Sequence, residues 1–468
     1  MASFLSRLEY KFNNRYLLTL NFRADGSSQF GPDKRWGYFP SGAVAWIITE
    51  ENFMKDYSNI VSYLKLRGSV GKTGSQNLGA YDWRTLMGSA TYNGAAGIVP
   101  SSLGNDILQW EEQIQKEVGL DYGFWDDRIR GTLGYYQKKV DNLLYSDPVP
   151  TSSSFSSVYQ NIGSLKNRGI EFDVRVDIIK NAPKDLTWNV DFNIARNRTT
   201  LEKLNSSDGY FGGGAYDYFK IEEGGETGRF YGYKDAGRLF MTNEELVGLK
   251  TIDPKTGTLK YYRDDYNYER QGDVYIMDLD GDGQITADGD RTVIGNANPD
   301  FFGGFGSTLY WKGLMLNAVF SYSVGGDRFW DEEKNSSGDM NVYNTSNRIL
   351  DSWTVNPGVN ASYPRAMYYG WGSNSIITDR YIHDASYLRM TALNLSYRLP
   401  KHLYKNSILN AVEFTFQATN LFTWTKYPGM DPQGNFSTTY SAFYNMGIDY
   451  STYPSARTYN FGIKLTLK

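Results

Sequence analysis

From Ile170 to Ile178 every second residue is apolar and every residue between carries a charge: Ile170-Glu171-Phe172-Asp173-Val174-Arg175-Val176-Asp177-Ile178. Side chains on a strand point alternately to opposite faces, so this segment has one oily face and one wet face. The pattern recurs down the chain in runs of about ten residues, the length of a membrane-crossing strand, and nowhere takes the period of an amphipathic helix. Tyr16, Leu18, Leu20 and Phe22 form one such set, and Leu186, Trp188, Val190, Phe192 and Ile194 another. Others are Leu314, Leu316, Ala318, Phe320 and Tyr322, then Val412, Phe414, Phe416 and Ala418, and finally Tyr459, Phe461, Ile463, Leu465 and Leu467. Together the runs predict about thirteen antiparallel strands.

The connections alternate in length. Turns at Asn13, Asp126 and Lys312 are tight and those near Glu50, Asn181 and Pro400 modest, and each is followed by a longer loop; residues 201–299 make the largest. A soluble sandwich has no reason to keep its long loops at one end, whereas an outer-membrane barrel has short periplasmic turns and long external loops. The predicted fold is therefore all-β, a transmembrane antiparallel β-barrel over residues 1–468 with 201–299 as a long extracellular loop. This bookkeeping puts residue 1 at the outer rim and Lys468 at the periplasmic rim, and an odd count starting outside predicts further strands upstream. Tyr16, Phe124, Trp125, Tyr310 and Trp311 flank short turns, where an aromatic belt would meet the membrane interface. The bland alternative is that aromatics are simply good strand formers. A secreted all-β carbohydrate-binding module is the soluble rival.

Composition sharpens the choice. Aromatics make up 16 % of the chain, with 38 Tyr, against a hydrophobic total of only 40 %, a balance suited to a wet interior and an oily outside. The net charge of −4 is spread along the chain and offers no basic stripe for nucleic acid. Zero cysteines exclude a disulfide scaffold and any thiolate site. No apolar run is long enough for a transmembrane helix, and the first residues do not read as a secretory leader.

One motif carries sharp chemistry. Asp278, Asp280 and Asp282 occupy the first, third and fifth positions of an EF-hand-like loop, with Gly283 at the sharp turn and Ile285 at the apolar eighth position. Gln284, Asp288 and Asp290 complete the candidate calcium ligands, because Gly289 stands where the bidentate acid is expected. The loop either holds a structural calcium ion or is a solvated loop rich in Asx turns. Enzyme chemistry is not indicated. His383 and His402 lack a third zinc ligand, Gly71-Lys72-Thr73 lacks the first Gly of a phosphate loop at Leu66, and Glu222-Glu223 and Glu332-Glu333 read as solvated charges. Trp330, Tyr368, Tyr369 and Trp371 could stack on a ligand or pack the loops together.

Several stretches resemble the barrel of SusC/RagA-type TonB-linked outer-membrane receptors. They include Arg23-Ala24-Asp25-Gly26-Ser27-Ser28, Arg35-Trp36-Gly37-Tyr38-Phe39-Pro40, Gly119-Leu120-Asp121-Tyr122-Gly123-Phe124 and Asn167-Arg168-Gly169-Ile170-Glu171. Asp280-Gly281-Asp282-Gly283, Tyr387-Leu388-Arg389, Thr419-Asn420-Leu421-Phe422-Thr423 and Pro454 with Arg457-Thr458 follow in family order. The resemblance implies a barrel of about 22 strands filled by an N-terminal plug. It also implies a SusD-like surface lipoprotein as lid, energy from the TonB complex, and import of oligosaccharides or peptides across the outer membrane of a Bacteroidota-like Gram-negative cell. On that resemblance the chain corresponds to the C-terminal barrel portion, without the plug and the first strands. Against the family pattern, the acidic loop is one residue longer before Arg291, and the chain ends on Leu467-Lys468 rather than an aromatic. The alternative is a passive structural barrel or a nonfunctional truncated product.

Overall fold

The computed structural model describes all residues outside 183–184, 205–209, 213–217, 243–244, 246–250, 253–258, 261–270, 338–344, 355–356, 359–360, 367–373, 375, 406–407, 435–445 and 468. Thirteen long strands form one sheet: β1 Ala2–Phe12, β2 Tyr16–Gly26, β3 Trp36–Ile47, β4 Val61–Ser75, β5 Glu111–Phe124, β6 Ile129–Asp141 and β7 Ser164–Ala182, followed by β8 Leu186–Lys203, β9 Phe301–Trp311, β10 Leu314–Val324, β11 Tyr387–Arg398, β12 Leu409–Thr425 and β13 Thr458–Leu467. Each strand lies antiparallel beside the next in chain order, and β1 and β13 each pair on one side only. The strand count matches the sequence expectation. No helix among the described residues is long and apolar enough to cross a membrane.

The register makes every run of apolar residues one continuous outer surface. Val174 of β7 faces Gly131 and Phe192, and Phe416 of β12 faces Leu395 and Phe461. These sets do not converge into a core: Leu20, Val44, Val70, Val118, Leu133, Ile170, Leu395 and Phe461 are all exposed. Only lipid gives such a surface a favourable environment, so the wall is the inside-out arrangement the alternation predicted. Two glycines in the outer face are each covered by a tyrosine. Tyr122 reaches across Gly131, stacks on Phe172 at 6.3 Å and donates its hydroxyl to the Asp173 carbonyl at 3.0 Å. Tyr322 does the same across Gly303, stacking on Phe192 and donating to the Asn193 carbonyl at 2.9 Å.

Connections at one end (13–15, 48–60, 125–128, 183–185, 312–313 and 399–408) alternate with those at the other (27–35, 76–110, 142–163, 204–300, 325–386 and 426–457), and each of the first set is followed by a longer one. The tight turns have the backbone that hairpins demand: Asn13 and Asn14 have φ of 52° and 56°, and Lys312 and Gly313 of 49° and 86°. At the same end Tyr16 and Trp46 both donate to Glu51, at 2.6 and 3.1 Å, giving the aromatic belt polar anchors. The register divides one expected belt pair, however, with Trp311 on the apolar face and Tyr310, opposite Thr187, on the other. Gly71-Lys72-Thr73 lies inside β4 and forms no phosphate loop.

Candidate functional site

The inner face of the wall is lined by charges that neutralise one another across strands. Lys65 and Arg67 of β4 meet Asp121 of β5 at 3.0 and 3.2 Å, and Arg67 also grips Glu117. Arg130 of β6 reaches Asp177 of β7 at 3.2 Å. A wet lumen allows this, since exposed ion pairs carry little desolvation cost.

At the long-loop end the connections build a crown with conventional cores. Phe30, Phe39, Leu78, Trp83, Leu108 and Trp110 form one cluster. Tyr218, Phe219, Phe230, Phe329, Tyr381 and Ile448 anchor a second, and Leu239, Phe240, Val274, Ile276 and Ile285 a third. The crown therefore holds the large fully buried side chains that the wall lacks. Even the 76–110 connection, a polar loop by its sequence, contains the hairpin Met87–Tyr92 with Ala95–Pro100 and four members of the first cluster.

Buried polar networks join these clusters. Tyr218 donates to Asp331 at 2.8 Å, Arg365 grips Asp273 through two 3.1 Å bonds, and Tyr427 donates to Asp449 at 2.7 Å. Glu333, expected as a solvated charge, is instead buried, because Arg348 at 2.7 Å and His383 at 2.6 Å supply it with partners. Glu222 keeps some exposure but pairs with Arg229 at 2.9 Å. His383 is thus a hydrogen-bond partner of buried Glu333, and His402 sits in a short turn at the opposite end of the wall. Trp330 packs the loops: it is nearly buried against His383 and Tyr427, with the Arg348 guanidinium 4.4 Å from its ring. Tyr368, Tyr369 and Trp371 lie outside the described residues.

Where crown meets wall, a cavity of about 270 Å³ is lined by Phe302, Ser323, Arg328, Tyr387 and Gln433. Burial lowers the Arg328 pKa, although Tyr427, Tyr387, Asp449 and Asp327 favour its charge. Beside the cavity, Arg389 of β11 donates to Asp431 and Gln433, both at 2.5 Å. This donor-rich pocket escaped the sequence reading. Its one signal was Arg389, a charge on a wet face that also carries Asn394, Ser396 and Arg398.

The acidic loop is folded tightly on its own carboxylates. Asp278 accepts the backbone N–H groups of Gly281 and Gly283, at 2.7 and 2.8 Å, Asp280 accepts that of Asp282 and Asp282 that of Gln284. One oxygen from each of Asp278, Asp280 and Asp282 lies within 4.8 Å of the others. Asp290 is fully buried and closes the loop through the N–H groups of Leu279 and Thr286, both at 2.7 Å, whereas Asp288 is exposed. The Asp282 N–H favours ionised Asp280, but desolvation and the charges of Asp282, Asp290 and Asp278 outweigh it and hold this carboxyl above its ordinary value. Three converging carboxylates are a hard-cation donor set; Asp288 and Asp290 lie outside that triad.

With this geometry established, the relatives are informative. A family described as TonB dependent receptor-like, beta-barrel matches residues 3–421. TonB-dependent receptor P3 of Formosa agariphila is 33 % identical over 99 % of this chain and 45 % of its own length. SusC of Bacteroides thetaiotaomicron is 32 % identical over 99 % of this chain and 43 % of its own. The chain spans about half the length of the curated relatives it matches. The RagAB peptide importer in its closed-closed state superposes with a TM-score of 0.76 at 28 % identity, covering 99 % of this chain and 47 % of that one. These are receptors and transporters rather than enzymes. An outward apolar wall, a charged lumen, one-sided loops and this matched sequence lead to one conclusion: the chain belongs to the TonB-dependent receptor-like β-barrel family of outer-membrane proteins and is similar to its SusC/RagA-type members.

Proposed function

We propose that this chain forms the wall and mouth of an outer-membrane, TonB-dependent importer of oligosaccharides or peptides that works with a SusD-like surface lipoprotein in a Bacteroidota-like cell. The observation that carries the reading is the pairing of a lipid-facing wall with a pocket, where crown and wall meet at the head of a charged lumen, that presents Arg328, Tyr387 and Gln433. Amide and hydroxyl oxygens, common to peptides and glycans, are what such donors hold. The similarity to a peptide importer supports the peptide class, and the resemblance to SusC/RagA-type receptors implies oligosaccharides as the other. Energy reaches the receptor through TonB acting on a plug. In this reading residues 201–299 are the extracellular loop that meets ligand and lipoprotein. The test is co-purification of a tagged chain with the lipoprotein of its own host, followed by ligand capture from pooled oligosaccharides and peptides. Recovery of the pair with one ligand class is expected; recovery of the barrel alone, with no ligand retained, would favour a passive structural barrel.

The same loop suggests a structural calcium ion held by Asp278, Asp280 and Asp282, which together crowd like charge that a divalent cation would relieve. Calcium would stiffen the loop and take no part in bond chemistry. Protection of this loop from protease by calcium but not magnesium is expected, and equal cleavage with and without calcium would remove the ion from the account.

A further inference from the structure

On four neighbouring strands the first outward side chain above the apolar band is polar: Lys116 on β5, Gln137 on β6, Arg168 on β7 and Arg196 on β8. The register aligns them, since Lys116 pairs with Gln137 and Gln137 with Arg168, while Arg196 sits one step below Arg198, the partner of Arg168. Lys116, Arg168 and Arg196 are exposed, and among the described residues none has a carboxylate within ion-pair reach. One step further along the strands the pattern reverses. Lys72 pairs with Glu112 at 2.6 Å, Lys139 with Asp141 at 3.0 Å, Lys166 with Glu202 at 3.2 Å and Arg198 with Asp300 at 2.9 Å. Apart from Lys72 on β4, the outward face elsewhere on the wall ends apolar, as with Ala24 of β2, Phe301 of β9 and Val324 of β10.

At the foot of the cationic row the outer wall is dented. Gly42 and Gly68 leave a groove walled by Leu20, Val44, Val70 and Val118, and Lys116 and Gln137 form one of its ends. An aliphatic groove continuous with unpaired cations at the boundary of the outer leaflet fits a lipid that carries acyl chains below and anionic groups above.

We propose that this arc, from β2 to β8, is a docking site for a phosphorylated glycolipid of the outer leaflet, its phosphates on Lys116, Arg168 and Arg196 and one acyl chain in the Gly42–Gly68 groove. The inference rests on the outer-membrane reading above. The test offers the chain, in mixed micelles, equal amounts of diphosphorylated and dephosphorylated lipid A and counts the retained lipid by native mass spectrometry. The wild-type chain retains the diphosphorylated form preferentially. K116Q/R168Q/R196Q weakens that preference by about a hundredfold, while K72Q/K139Q, which alters only cations already paired, keeps it. Equal retention of the two lipids by the wild type, or an undiminished preference in the triple variant, overturns the site. Insertion into phosphatidylcholine vesicles is scored separately. Its failure overturns the membrane reading and the site together, whereas normal insertion without lipid preference overturns the site alone.

Discussion

The wall and the crown of this molecule solve the burial problem in opposite ways. In the wall, Leu20, Val118, Ile170 and Phe461 point outward while Lys65, Arg67, Asp121 and Asp177 face in. In the crown, Phe30, Phe230, Phe240 and Phe329 are fully enclosed and the charges that accompany them are paired. The same hydrophobic effect acts in both, but the wall's surroundings are hydrocarbon and the crown's are water. Wall stability should therefore depend on the bilayer and crown stability on packing, and that difference can be tested.

The largest effect is expected in the crown. Phe230 is fully buried and stacks on Phe219 at 5.1 Å. Phe230→Ala should cost about 3–5 kcal/mol of local stability, the usual range for emptying an aromatic site. Hydrogen exchange should show amides around 218–232 and 329 opening while those of β5 to β8 keep their protection. Simultaneous opening of the wall would mean that crown and wall are one cooperative unit.

The wall gives the next effect. Arg placed at Val174 or Phe416 should cost about 2–4 kcal/mol near the bilayer midplane, whereas Arg at Asp173 or Thr415 should cost within about 1 kcal/mol. A refolding titration into lipid vesicles measures both sets. Equal costs would refute the assignment of faces.

The wall was legible in the sequence because a period of two is local: each strand declares its own faces. Legibility ended where the environment changed. Strand β7 begins at Ser164 and β8 runs to Lys203, beyond the apolar sets that mark them, because Lys166, Arg168, Arg196 and Arg198 leave no oily face to read once the wall rises above the membrane. The crown was illegible for a different reason. Its partners are far apart in sequence, Tyr218 with Asp331 and Asp273 with Asn374, so no window of neighbouring residues contains the contact. Glu333 illustrates the consequence: a paired acid beside Glu332 reads as solvated until Arg348 and His383 arrive from other segments. The acidic loop lies between these cases, with its triad local and readable but its closure by buried Asp290 visible only in three dimensions.

A smaller effect is expected where the regions join. Burial alone would raise the Asp431 carboxyl, but hydrogen bonds from Arg389 and from the N–H groups of Gln433 and Ser455 outweigh it and hold the pKa below its ordinary value. A depressed carboxylate contributes stability that is complete above the unfolded pKa and lost as pH falls through the folded one. Protease sensitivity of the 426–457 connection should therefore rise only in acid, below the normal carboxylate range. Asp431→Asn should cost about 1.5–3 kcal/mol and flatten that dependence, and a pH response unchanged in this variant would assign it to another group.

The finest test concerns the tyrosines that cover outer-face glycines. A Cβ on Gly131 would lie 2.0 Å from the Asp173 carbonyl and 2.6 Å from the Tyr122 hydroxyl, so Gly131 and Tyr122 are fitted to each other. Gly303 stands in the same relation to the Asn193 carbonyl and Tyr322, at 2.1 and 2.8 Å. In water a tyrosine hydroxyl loses little when its protein partner is removed, because solvent replaces the bond; at a lipid-facing surface no solvent is available, and the bond is kept inside the wall. Tyr122→Phe and Tyr322→Phe should each cost about 0.5–1.5 kcal/mol in lipid. One site uses β5 to β7 and the other β8 to β10, but their acceptors Asp173 and Asn193 are register partners across β7 and β8, so the double variant should lose more than the sum of the two. A loss equal to that sum, in the same lipid titration that separates Val174 from Asp173, would mean that the two glycine–tyrosine pairs act independently although their strands are neighbours, as the separate clusters of the crown do.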